Sequence, residues 1–254
     1  MRKIFAFLCV LSFVAQFNLL SAQTPTMKVW KNGNVTTYIP TAGVDSVTFG
    51  IELNLLINGH KFVDLGLPSG VLWAETNIGA ETAADDGNYY AWGETAVKSN
   101  YSWDTYKYGT SASDITKYNS TDGKTFLEIA DDAACVNWGN SCRMPTQEDF
   151  SELTNSNNCT WTWTSMENSS GSSVNGYKVT SKKNGNSIFL PASGCRYKDN
   201  NPTNYGSRGY YWSSTLHTSY VYYAYYLYFG RGYRYTDNYG SRCEGVTVRP
   251  VVEP

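Results

Sequence analysis

Side chains able to do covalent or redox chemistry are few here, and they are scattered. The histidines, His60 and His217, lie far apart along the sequence. A nucleophile needs a base beside it, or carboxylates must pair in a pocket. No serine or cysteine stands in a recognisable elbow. Asp85-Asp86 and Asp131-Asp132 read as carboxylates at helix starts, where the helix dipole favours them. Zinc sites need close Cys/His pairs, and the sequence has none, so no catalytic residue, metal or cofactor is expected. Past Cys9, the cysteines are Cys135, Cys142, Cys159, Cys195 and Cys243. In an oxidising compartment some can pair, and the odd count leaves at least one over. Cys135 and Cys142, which flank Asn137-Trp138-Gly139-Asn140, are the first expected pair.

Tyrosine offers a different chemistry, that of contact. Of 21 tyrosines, twelve lie between Tyr205 and Tyr239. In Tyr223-Ala224-Tyr225-Tyr226-Leu227-Tyr228-Phe229 both parities are aromatic or apolar, which predicts a strand covered on both faces. That stretch reads as scaffold, with Trp212, Val246, Val248 and Val251. Its two flanks, Leu216 to Tyr222 and Gly230 to Arg242, show no sustained alternation. They are rich in Tyr, Arg, Ser, Gly and Asn, which combine rigid amphipathic area, planar donors and adjustable backbone. The candidate ligand-binding residues are therefore Leu216, His217, Tyr220, Tyr222, Arg231, Tyr233, Arg234, Tyr235, Asp237, Asn238, Tyr239 and Arg242. The plainer alternative is a solvated, Tyr-rich loop pair that stabilises a sheet edge.

The elements that must position these residues start beyond an export signal. Arg2 and Lys3, the apolar run Ile4 to Val14 and the small-residue end Leu20-Ser21-Ala22 predict a signal peptide over 1–22. Cys9 follows Phe7-Leu8 and not the small residues of a lipoprotein signal. No later stretch is long and apolar enough to span a bilayer. Residues 23–52 read as a small β element, strand-turn-strand around Asn32-Gly33-Asn34. It is too short for its own core. The main domain, 53–254, opens with a hairpin about Pro68-Ser69-Gly70. Short helical turns are expected over Asp85 to Trp92 and Asp131 to Asn137. A clearer helix starts at Pro145-Thr146, with Thr146 as N-cap and Asp149 three residues on. Strands follow at Thr160–Thr164, Tyr177–Ser181, Ser187–Leu190, Tyr210–Ser213, Tyr223–Phe229 and Gly245–Val252, with a hairpin turn at Asn184-Gly185-Asn186. The expected class is α+β, strand- and loop-rich with few short helices. Charged residues make up 17% and the net charge is -2, which gives no electrostatic case for nucleic acid or an anionic membrane.

Several motifs occur in an order that resembles a known family. They are Val63-Asp64-Leu65-Gly66-Leu67-Pro68-Ser69-Gly70-Val71-Leu72-Trp73-Ala74, Ala91-Trp92-Gly93-Glu94, Trp138-Gly139 and Arg143-Met144-Pro145-Thr146. Thr160-Trp161-Thr162-Trp163, Asn175-Gly176-Tyr177, Ile188-Phe189-Leu190-Pro191-Ala192, Tyr210-Tyr211-Trp212-Ser213-Ser214 and Val248-Arg249-Pro250-Val251 follow. Together they resemble the Fibrobacter succinogenes major paralogous domain, common in secreted proteins of gut Bacteroidetes. The resemblance implies a C-type lectin-like fold, in the branch shared with formylglycine-generating enzymes and with the variable proteins of diversity-generating retroelements. It also implies a ligand surface near the C-terminal strands. The chain departs from the catalytic and calcium-binding members. It lacks the paired copper cysteines, apart from a distant Cys195 and Cys243, and it lacks the histidine cluster and the Glu-Pro-Asn or Trp-Asn-Asp calcium motifs.

From Ser213 to Cys243 there is no Lys, Glu, Gln, Met or Trp. Mutating only the adenines of an AAC or AAT codon never yields those types, so the segment has the composition that adenine-specific diversification would leave. Strands are poor in Lys and Glu on other grounds. The expectation is an exported, non-catalytic binding protein, secreted or at the cell surface, for a protein or glycan ligand. An oxidoreductase related to formylglycine-generating enzymes and a structural envelope protein are the alternatives.

Overall fold

The computed structural model describes residues 26–31, 34–40, 55–198 and 201–253. The predicted signal peptide, 1–22, lies outside the described residues. The chain divides into two compact units, 1–52 and 53–254. In the first, β1 (Thr26–Lys31) and β2 (Asn34–Pro40) pair antiparallel, with a register shift between Val29 and Trp30.

In the second unit the strands run β3 (Leu55–Ile57), β4 (His60–Asp64), β5 (Leu72–Ala74), β6 (Tyr89–Tyr90) and β7 (Cys142–Arg143). They continue with β8 (Cys159–Glu167), β9 (Ser173–Ser181), β10 (Ser187–Pro191), β11 (Arg208–Leu216), β12 (Tyr223–Gly230), β13 (Tyr233–Ser241), β14 (Val246–Thr247) and β15 (Val251–Val252). Between them lie α1 (Ala133–Trp138) and α2 (Gln147–Thr154). Three sheets result, ordered β3-β4-β5-β15-β7, β10-β9-β8 and β13-β12-β11-β14-β6. The unit is strand-rich with few, short helices.

Both helices start as local chemistry dictates. Thr146 accepts from the Asp149 N–H while the Asp149 carboxylate accepts from the Thr146 N–H, a reciprocal capping box. Asp132 caps α1 by accepting from Ala134 and Cys135, and it also accepts from the Met144 N–H at 2.9 Å. Asp131 plays no capping part. It is buried beneath Lys117, Lys107, Tyr108 and Tyr118, all of which donate to it and hold its carboxyl below the ordinary range against the cost of burial.

Four expectations need correction. Asp85 to Trp92 contains no helix. Gly87 takes φ +69°, and a Cβ there would sit 2.4 Å from the Ile78 carbonyl, so the chain doubles back into β6. Gly230 to Arg242 is not loop: residues 233–241 form β13, paired along β12. Two β13 residues, Thr236 and Asp237, face one β12 residue, Leu227, and this bulge erases the alternation that marks a strand. Gly245 to Val252 is two strands, because the chain leaves one sheet after Thr247 and enters another at Val251. Cys135 and Cys142 are not bonded; the Cys135 thiol donates to the Cys142 carbonyl oxygen, and both thiols are free.

The sheet β13-β12-β11-β14-β6 lies between two cores. Successive residues point to opposite faces. Tyr210, Trp212 and Ala224 enter one core with Trp92, Tyr101 and Tyr118. Tyr211, Leu227 and Phe229 enter the other with Trp73, Phe150, Leu153 and Tyr177. Tyr211 stacks on Phe229 at 5.9 Å.

Candidate binding surface

Beyond Leu227 toward its N-terminal end, β12 outruns the second core. Tyr223 and Tyr225, on the same face as Leu227, are only half-buried. Tyr225 is the register partner of Tyr239 on β13, so their rings share that face. The turn between β11 and β12 closes over them. His217 N–H donates to Tyr223 O, Tyr223 N–H to Tyr220 O, and Tyr220 N–H to His217 Nδ1 at 3.1 Å. With Nδ1 accepting, the neutral imidazole carries its proton on Nε2, which is then a donor. The His217 ring is enclosed by Tyr225 at 5.0 Å, Tyr220 at 5.3 Å and Tyr239, edge-on, at 4.5 Å. Tyr223 joins through Tyr239 at 4.9 Å and Tyr222 at 4.3 Å. Tyr220 remains 50% exposed and Tyr239 41%. Each ring pair contributes about 0.5–1.5 kcal/mol, so the cluster is a braced platform and not a set of loose side chains. Its contacts are ring on ring, and the Glu244 carboxyl acts on it electrostatically through Tyr223.

The opposite face of the hairpin carries a second group. Tyr210 pairs with Tyr228, Tyr228 with Tyr235, and Gly230 with both Arg208 and Tyr233. Tyr233 and Tyr235 therefore stand back to back with the His217 face. Tyr233 lies over Gly230, where a Cβ would meet its hydroxyl at 2.5 Å. The two rings are 5.7 Å apart and 28° from parallel.

The twelve predicted residues thus divide. His217, Tyr220, Tyr222 and Tyr239 come together, while Tyr233, Tyr235 and Asn238 face the other way. Arg231 is exposed at the β12–β13 turn and Asp237 at the bulge. Arg234, paired with Phe229, lies over Trp161 and donates to Thr154 O at 3.4 Å, which caps the end of α2. Leu216 and Arg242 are corrections, since both are in the core and neither has a face for a ligand. Arg242, 0% exposed, donates to the Tyr106 hydroxyl and to the carbonyls of Lys117, Tyr118 and Val221, with its guanidinium over Trp92. Fixed donors that satisfy loop carbonyls explain an arginine at the end of β13. Tyr223, Tyr225, Tyr228 and Arg208 are surface partners that pattern reading assigned to scaffold or passed over. For Tyr223 and Tyr225 the missing signal was where the core ends beneath a continuous aromatic strand.

Burial pushes up all five free thiols, Cys135 and Cys243 to about 12. A thiol so raised is a poor nucleophile or metal ligand near neutrality. Among the described residues no three His, Cys, Asp or Glu converge as a metal site. His60 stacks on Trp138 at 3.6 Å and 4°, a packing role. No helix among the described residues is long and apolar enough to cross a membrane. A cleft of about 320 Å³ lined by Gly66, Pro68, Asn157, Asn158, Lys182 and Lys183 shares no residue with either hairpin face.

A family model described as a domain of unknown function (DUF8237) matches residues 163–251. The match runs from within β8 to β15 and includes both faces of the β12–β13 hairpin. No curated protein and no solved structure matches the chain.

Proposed function

We propose that this is an exported, non-catalytic binding protein whose ligand surface is the platform of His217, Tyr220, Tyr222, Tyr223, Tyr225 and Tyr239. One observation carries the reading: a cage of mutually braced aromatic rings stands on the β11–β12 turn and on the paired strands β12 and β13, outside both cores. Tyrosines held in this way lose little entropy on binding and offer both a ring face and a hydroxyl. The thiols, pushed up by burial, are poor nucleophiles near neutrality, which favours a role in contact. The strand-rich fold is read as C-type lectin-like, and the ligand as a protein or glycan met outside the cell or at its surface. Diversification by a retroelement accounts for the residue types from Ser213 to Cys243, with the outward positions of the turn and hairpin as its targets.

The test is an array of glycans and proteins probed with the mature chain. Tyr220→Ala and Tyr239→Ala are expected to weaken the best ligand by about tenfold or more, with the fold kept and the thermal midpoint lowered by no more than the few degrees that the lost ring contacts account for. A loss of stability with ligand capture intact would mean that the tyrosines serve packing alone. A reverse transcriptase gene and an adenine-rich template repeat beside the coding sequence are expected; their absence would remove the diversification part.

A further inference from the structure

The face of the hairpin turned away from His217 differs from it in one respect: it carries a cation. Arg208 opens β11 opposite Gly230, so its side chain projects on the side of Tyr210, Tyr228, Tyr233 and Tyr235. Its guanidinium carbon is 5.9 Å from the Tyr228 ring centroid, and the group also stands beside the Tyr210 hydroxyl. Arg208 is exposed and enters no ion pair among the described residues. The Glu244 carboxyl packs against Gly240 and Tyr226, about four residues along β12 from Gly230, the register partner of Arg208. The Tyr228 and Tyr233 hydroxyls lie 3.1 Å apart. Asn204 Nδ2 donates to the Tyr210 hydroxyl at 3.2 Å and fixes that group from the far side. Tyr228 and Tyr235 are 21° from parallel at 6.4 Å, and Tyr235 is 50% exposed.

A planar fork of donors, ring faces at small mutual angles and a rim of phenol hydroxyls are thus gathered on one surface. A carboxylate satisfies the guanidinium with two parallel hydrogen bonds. The C–H face of a pyranose ring stacks on tyrosine, and its hydroxyls match the phenol rim. A peptide carboxylate would engage Arg208 but would leave the ring faces and hydroxyls without matched partners. We infer that Arg208, Tyr228, Tyr233 and Tyr235 form a second binding site, for a carboxylate-bearing sugar of an acidic glycan. It stands apart from the His217 platform and survives if that platform binds nothing.

The experiment is calorimetric titration of the mature chain at low ionic strength. The probes are a galacturonic acid tetramer, its carboxyl-reduced counterpart, sialyllactose and a tetraglutamate peptide. At least one acidic sugar is expected to bind, and the arm that binds identifies the source of the carboxylate. Loss of its carboxyl, Arg208→Gln or Tyr235→Ala should each weaken binding by about tenfold or more. Arg208→Lys should retain part of the affinity, because the charge remains and the fork is lost. Lys178→Ala, which removes an exposed cation on β9, should leave affinity unchanged. Arg208 is exposed and Tyr235 half-exposed, so both variants should stay folded, with an unchanged thermal midpoint for Arg208→Gln and a fall of at most a few degrees for Tyr235→Ala. The site is refuted if neither acidic sugar binds, if the reduced tetramer binds as well as the acidic one, if Arg208→Gln has no effect, or if tetraglutamate binds as tightly as the sugars.

Discussion

At the scale of single residues, placement overrides type. Arg208, Arg234, Arg242 and Arg249 look alike in sequence, yet each has a different task. Arg249, wholly buried, donates to Asn77 Oδ1 and to the carbonyls of Ala74, Glu75 and Phe189, and burial pulls its pKa down to about 10. Glu244 is the acidic counterpart: packed against Gly240 and Tyr226, it is pushed by burial up to about 7. The folded state therefore holds this proton where the unfolded chain has released it. Stability should fall as pH rises from the ordinary glutamate range to about 7, by on the order of 3 kcal/mol. Glu244→Gln should flatten that fall, read as the difference in urea midpoint between pH 5 and pH 8. Equal slopes for both proteins would refute it. Nothing in the local sequence reveals either role, because a buried charge is defined by what folds over it from elsewhere in the chain.

At the scale of elements, local chemistry was legible where it was complete within a few residues. The capping pair Thr146 and Asp149, the turn at Asn184-Gly185-Asn186 and the strands from β8 to β12 follow from caps, turn residues and alternation. β13 did not, because its bulge shifts the period halfway along. Nor did the end of β12's buried face, because that depends on how far the second core extends. The segments read as flanking loops form the β11–β12 turn and strand β13, and the candidate residues on them fall on two separate faces, with two of them buried. The helix that braces this hairpin offers a direct measurement. Gln147 Nε2 donates to Thr236 O at 3.0 Å, and Ser151 Oγ lies 3.3 Å from the Thr236 hydroxyl. Thr146→Ala removes the cap of α2 and should cost about 1 kcal/mol in a denaturant titration. Thr146→Ser should restore most of it, and a null effect of Thr146→Ala would mean that α2 is held by packing alone.

At the scale of the molecule, two large hydrophobic clusters hold the second unit together. A chain beginning at Leu53 should therefore fold on its own and unfold in one cooperative transition, read by calorimetry; a broad or absent transition would refute it. The bulge at Thr236 and Asp237 has a consequence at this scale as well. β13 is the outermost strand of its sheet, and a straight, aromatic outer strand invites another chain to extend the sheet, the first step toward a fibre. An extra residue midway along that rim, with Asp237 exposed upon it, bends the strand and interrupts the row of backbone donors and acceptors. The bulge thus works against a second copy adding to the sheet through this tyrosine-rich edge.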